Sequence, residues 1–112
     1  MEIRAAQSED LREWFGSVPM TMRAIVAKHD GRVLGVAGLA LADDHVQAFS
    51  AYKPELRRFP VTMARAAIMF RQMLSSQRGP VFALCSETEP TAPDLLAKLG
   101  FVAHDERMWR HG

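Results

Sequence analysis

The sequence predicts an α/β fold built on a mixed, mostly antiparallel sheet of six or seven strands. Three observations predict it. Short runs alternate apolar and polar residues, which is the period of a half-buried strand. Asp30-Gly31 separates two of these runs, and that dipeptide supplies the positive φ angles of a tight hairpin. After Val61 the apolar residues recur instead at helical spacing.

Met1 to Ala6 alternates and reads as a first strand. Ser8 then offers an N-cap oxygen ahead of Glu9 to Phe15, a helix of barely two turns that Gly16 can end in the left-handed conformation. Arg23 to Lys28 and Arg32 to Leu41 form the hairpin across Asp30-Gly31, and His45 to Tyr52 alternates again after the polar turn Asp43-Asp44. These three strands make an antiparallel meander. Pro54 breaks the strand pattern, and Met63, Ala66, Ala67, Phe70, Met73 and Leu74 mark the buried stripe of a long helix. Val81 to Cys85 is a nearly continuous apolar run, suited to a central strand buried on both faces. Thr91, Pro93 and Asp94 start a second core helix that Gly100 ends, with Phe101 folding back on Leu96. Val102 to Trp109 supplies a last hairpin or extended segment.

A chain of 112 residues has room for one hydrophobic core, so residues 1–112 read as a single domain. Its 14 Lys and Arg against 13 Asp and Glu leave no excess to neutralise a nucleic-acid backbone. The start of the chain has no apolar signal-peptide core, and the run Val33 to Ala42 is too short to span a bilayer. Neither a nucleic-acid nor a membrane role is expected. The single cysteine, Cys85, forms no intrachain disulfide, and the absence of a disulfide framework points to a reducing, cytoplasmic setting.

Two residue types offer acid–base chemistry. His45, beside Asp43 and Asp44, has an imidazole poised to take a proton from an amine near neutral pH, though its place in a polar turn favours a solvated surface residue. Glu87 and Glu89, after the fifth strand, can act as base or bind an amine, or stand as plain loop carboxylates. Cys85 has no activating base nearby in sequence and reads as packing. Met63, Met69 and Met73 lie at core spacing. His29, His45, His104 and His111 show no short-range ligand spacing, so no metal site is expected. Trp14 and Trp109 read either as core or as anchors for a partner.

The order strand, helix, three-strand meander, long helix, strand, helix, strand resembles the GNAT superfamily of acyl-CoA-dependent N-acyltransferases. The likeness rests on Asp30 to Gly38 as the hairpin, Tyr52-Lys53-Pro54-Glu55-Leu56-Arg57 as the strand end and start of the cofactor loop, and Leu95 to Phe101 as the closing helix. It implies helices on both sheet faces and a fourth strand splayed from the fifth. The pantetheine arm of acetyl-CoA or another acyl-CoA would then lie along Phe49, Ser50, Ala51 and Tyr52, with backbone amides near Ser50 polarising the thioester. The pyrophosphate would sit at the start of the long helix, near Arg57, Arg58, Val61 and Thr62.

The chain departs from the family pattern in three places. Arg57-Arg58-Phe59-Pro60-Val61-Thr62 stands where the family has a glycine-rich phosphate loop, and Pro60 removes one backbone donor. Two guanidinium groups compensate by gripping phosphate directly. Leu96 stands where the family often has a tyrosine acid. The N-terminal helical region is short, which leaves the acceptor side open to a small-molecule or protein amine, a homodimer partner or another protein. By resemblance the chain reads as an N-acetyltransferase. The alternative is a catalytically degenerate GNAT-fold module that binds protein, similar to short GNAT-like domains carried by phages and prophages.

Overall fold

Asp30 and Gly31 adopt φ angles of 52° and 77°, so both central residues of the hairpin turn are left-handed, as the dipeptide predicts. The turn joins β2 (Met22–His29) to β3 (Arg32–Leu41), and β4 (Val46–Tyr52) completes the meander. These strands lie inside a seven-stranded sheet of order β1-β2-β3-β4-β5-β7-β6, with β1 at Glu2–Ala5, β5 at Val81–Leu84, β6 at Val102–Ala103 and β7 at Met108–His111. All neighbouring pairs are antiparallel except β4 and β5. This computed structural model describes residues 1–17, 21–41, 44–84, 96–104 and 108–111.

Helix α1 (Ser8–Phe15) ends at Gly16, whose φ of 81° and N–H bond to the Arg12 carbonyl at 2.8 Å close the last turn. Its start differs from the sequence reading. Gln7, not Ser8, is the N-cap, because Asp10 reaches back to accept the Gln7 N–H at 2.9 Å and draws the helix start one residue earlier. Helix α2 (Pro60–Ser75) covers the opposite face of the sheet. Between β4 and α2, Pro54–Arg58 forms a 3-10 helix that the sequence pattern did not disclose.

The core divides according to these two faces. On the α2 side, Leu39, Ala48, Phe70, Leu74, Val81, Leu99 and Phe101 pack together, with Met73 and Trp109 against them. On the α1 side, Trp14 and Phe49 cover Val26, Val33 and Val36. Residues 33 and 36 would face opposite ways in a regular strand. Ala27 pairs with Gly35 and Lys28 with Val33, so Leu34 is an extra residue on β3, and this bulge turns both valines to the same side. The tryptophans and the methionines Met63 and Met73 are therefore core contributors.

Residues 96–98 are helical and close as predicted: Gly100 has a φ of 96°, and the Phe101 N–H bonds the Leu96 carbonyl at 2.9 Å. That places Leu96 and Phe101 in one core cluster. The predicted helix start at Thr91, Pro93 and Asp94, and the end of the fifth strand at Cys85, lie outside the described residues. Among the described residues no helix is long and apolar enough to cross a membrane.

Candidate active site

A middle strand of a sheet normally has both edges paired, because each unpaired amide or carbonyl away from water is costly. β4 breaks this pattern. Against β3 it pairs along its whole length, from Leu41 with Val46 to Gly35 with Tyr52. Among the described residues it pairs with β5 at Val46 with Val81 and Gln47 with Phe82, and the pairing does not continue to Ala83 and Leu84. Ser50, Ala51 and Tyr52 are exposed although they belong to the fourth of seven strands. Among the described residues, alternate backbone groups of this segment have no β5 partner on the edge turned toward the gap.

The gap opens toward the carboxyl ends of both strands, where the chain continues through the 3-10 helix into α2. Ligands of open α/β sheets commonly bind outside those strand ends. The start of α2 suits an anion. Its N-cap residue, Phe59, makes no side-chain capping bond, and no acidic residue stands in its first turn. The first helical N–H bond runs from Met63 to the Phe59 carbonyl at 3.0 Å, and Pro60 has no N–H, so Val61 and Thr62 carry the amides without an acceptor in the helix. Val61 is exposed and the Thr62 side chain is buried.

Arg57 and Arg58 leave the 3-10 helix on different sides. The Arg57 guanidinium stands 5.8 Å from the centre of the Tyr52 ring, at the mouth of the gap. Arg58 lines a surface hollow at the β2–β3 turn with His29, Arg32, Glu55 and Phe59, where Arg32 pairs with Glu55 at 3.3 Å. The two arginines are brought to one end of the sheet but do not converge on one point.

A second hollow, apolar and about 140 Å³ in volume, lies between α2 and the sheet and reaches Ser50, Ala51 and Tyr52. The sequence reading missed its walls. They include small residues on α2 and β3, and the only hint was the pairing of Ala66-Ala67 with a strand containing Gly35 and Ala37. The Phe49 side chain does not line this hollow. It faces the α1 side and packs edge-on against Phe15, with ring centres 6.1 Å apart.

His45 is not brought to the gap. It precedes the paired end of β4, five residues before Ser50, which at the rise of an extended strand is about 16 Å away. Its Nδ1 lies 2.6 Å from the Asp44 carboxylate, its Nε2 lies 3.1 Å from the Gln47 amide oxygen, and its ring packs against Phe82. The imidazole holds the Asp44 carboxyl below the usual carboxylate range by hydrogen bonding and by charge. Glu87 and Glu89 lie outside the described residues. Leu96 is half-buried in the core and offers no proton, as its type implied.

No family model and no curated protein matches the sequence. Solved structures do match. The ribosomal-protein-S18-alanine N-acetyltransferase of Escherichia coli superposes with a TM-score of 0.66 at 13% identity, over 98% of this chain and 92% of its own. An aminoglycoside N-acetyltransferase in complex with CoA gives 0.63 at 17% identity, over 94% of each chain. A GNAT superfamily phosphinothricin acetyltransferase from Sinorhizobium meliloti, in complex with AcCoA, gives 0.63 at 15% identity over 98% of this chain and 86% of its own. None of the three is described as a phage protein, so the likeness to phage-borne domains draws no support from them. The strand order, the parting of β4 from β5 and these superpositions together establish that the chain has the fold of the GNAT acetyltransferases.

Proposed function

We propose that this chain transfers an acyl group from an acyl-coenzyme A to an amine. The observation that carries the reading is the parting of β4 from β5 among the described residues, with the exposed end of β4 leading through the 3-10 helix to the start of α2. That two of the structural neighbours are CoA and AcCoA complexes supports it. In this reading the free edge of Ser50 to Tyr52 pairs with the amides of the pantetheine arm. The Val61 and Thr62 N–H groups and the Arg57 guanidinium face the pyrophosphate, and Arg58 serves a phosphate nearer the hairpin turn.

The amine nitrogen attacks the thioester carbonyl. The carbon–nitrogen bond forms as the carbon–sulfur bond breaks, the amine loses one proton, and the thiolate leaves and takes one up. Strand-edge amides near Ser50 stabilise charge on the carbonyl oxygen, and the wedge supplies orientation. With Leu96 at the closing helix, water protonates the thiolate. We assign removal of the amine's proton to Glu87 rather than His45. His45→Ala then retains the transfer rate within about threefold, while Glu87→Gln lowers it about a hundredfold at unchanged acetyl-CoA affinity. A rate lost with His45 would reverse the assignment. The acceptor is a small-molecule or protein amine reached from the side that the short α1 leaves open, and the lone cysteine supports a cytoplasmic setting.

Calorimetry with acetyl-CoA tests the reading directly. Binding at or below millimolar concentration is expected, weakened about tenfold by Arg57→Ala and less by Arg58→Ala, and weakened further by salt. The second reading, a protein-binding module without catalysis, is favoured by Pro60 and the 3-10 helix in place of a glycine loop. Failure to bind at millimolar acetyl-CoA would overturn the acyl-transfer reading, and capture of a protein partner in a pull-down would support the second.

A further inference from the structure

The apolar hollow beneath α2 has no part in holding phosphates or in pairing with a strand edge. It starts at Ser50 and Tyr52 on β4 and runs under the helix to Ile25 on β2 and Ile3 on β1. Three strand spacings separate its ends, about 14 Å. Among the described residues lining it, only Ser50 and Tyr52 have polar side chains, both on β4. Its cause is visible in the sequence. Ala66 and Ala67 occupy α2 between the larger Met63 and Phe70, and the opposite wall on β3 carries Gly35 and Ala37. Small residues on both walls leave space that neither side fills.

Water gains nothing there, because a lodged water needs two or more polar partners. An apolar cavity of about 150 Å³ elsewhere stays dry and accepts benzene, a six-carbon guest. The present volume of about 140 Å³ has the same capacity. A two-carbon acetyl group would leave most of it empty and its walls without dispersion partners.

We propose that this hollow receives the hydrocarbon tail of the transferred group, and that the preferred donor is a thioester with an acyl chain of about four to six carbons. The proposal rests on the acyl-CoA reading above. Its thioester carbonyl lies by Ser50, the tail turns away from the solvent side of the wedge, and the chain runs under Ala66 and Ala67 toward Ile25. Burying four further methylenes accounts for the selectivity.

Calorimetry on the whole chain with coenzyme A, acetyl-CoA and hexanoyl-CoA tests this. Hexanoyl-CoA should bind at least tenfold, and up to about a hundredfold, more tightly than acetyl-CoA. Ala67→Leu should bring hexanoyl-CoA down to the acetyl-CoA level while changing acetyl-CoA affinity less than twofold. Ala37→Val, which fills the hollow from the sheet side, should do the same and serves where the helix variant fails to fold. Equal affinity for the two thioesters, or equal weakening of both by the filling variants, would overturn the chain-length assignment and leave the acyl-CoA reading intact. Loss of all three, coenzyme A included, would overturn both together.

Discussion

Gly38→Ala should cost about 3 kcal/mol of folding stability, the upper end of what overpacking costs in a core. Gly38 pairs with Ala24 on one side and with Phe49 on the other. A Cβ built there would lie 2.2 Å from the Arg23 carbonyl oxygen and 2.7 Å from the Ala24 Cα, both backbone atoms fixed by the β2–β3 ladder. Nothing flexible can yield, so the two central strands must part. Gly35 supplies the control. Its Cβ would meet the Leu56 Cδ2 at 2.9 Å, the tip of a side chain that can rotate, and Gly35→Ala should cost about 1 kcal/mol. Urea unfolding of the two variants, read at constant m-value, checks the difference. A Gly38→Ala midpoint equal to that of Gly35→Ala would show that β2 and β3 are not packed as closely as described. Gly38 also lies opposite the residue before Ser50, so acetyl-CoA affinity should fall with stability in this variant.

Where the sequence was legible, the responsible signals were local. Asp30-Gly31, Gly16 and Gly100-Phe101 each fix a backbone geometry within a few residues, and each occurs as its dihedral angles require. Alternation placed β1 and β4, where half-burial acts on every second side chain, and the Asp30-Gly31 turn placed β2 and β3, each to within one residue. What local signals could not give is contact across the chain. The Leu34 bulge depends on the partner strand, and the 3-10 helix depends on Leu56 finding the cluster formed by Ala27 and Leu34. The same holds at the site. The exposed end of β4 was placed only through a family resemblance, since alternation says nothing of which neighbour a strand leaves. The residue type of His45 suggested chemistry, and only the strand geometry showed it at the other end of β4 from the gap.

Asp10 illustrates the same limit and carries the second large effect. It is a charged side chain with 1% exposure, read in the sequence only as part of a short helix. In the fold its carboxylate accepts from Arg4 at 2.6 and 3.1 Å, from Lys28 at 3.0 Å and from the Gln7 amide at 2.9 Å. One residue thereby ties β1, β2 and the start of α1 together. The Arg4 hydrogen bonds, opposed by burial and reinforced by the Gln7 amide and Lys28, hold its carboxyl well below the usual carboxylate range. Asp10→Ala removes the shared acceptor and should cost about 3 kcal/mol at pH 7, within the range for breaking a buried pair.

The sign of the pH dependence follows from the depressed folded value. The unfolded chain binds a proton at Asp10 before the folded protein does, so stability from this group is full above the ordinary carboxylate range and falls as pH drops through it. Asp10→Asn, which keeps the shape and loses the charge, isolates that contribution. The stability gap between wild type and Asp10→Asn should shrink by about 1 kcal/mol from pH 7 to pH 3, since one proton is then taken up on unfolding over nearly one pH unit. Urea midpoints at the two pH values measure it. A gap that stays constant would mean that Asp10 titrates alike in both states and that the bonds from Arg4 and Lys28 contribute no net stability, in which case β1 and α1 are held by their apolar contacts alone.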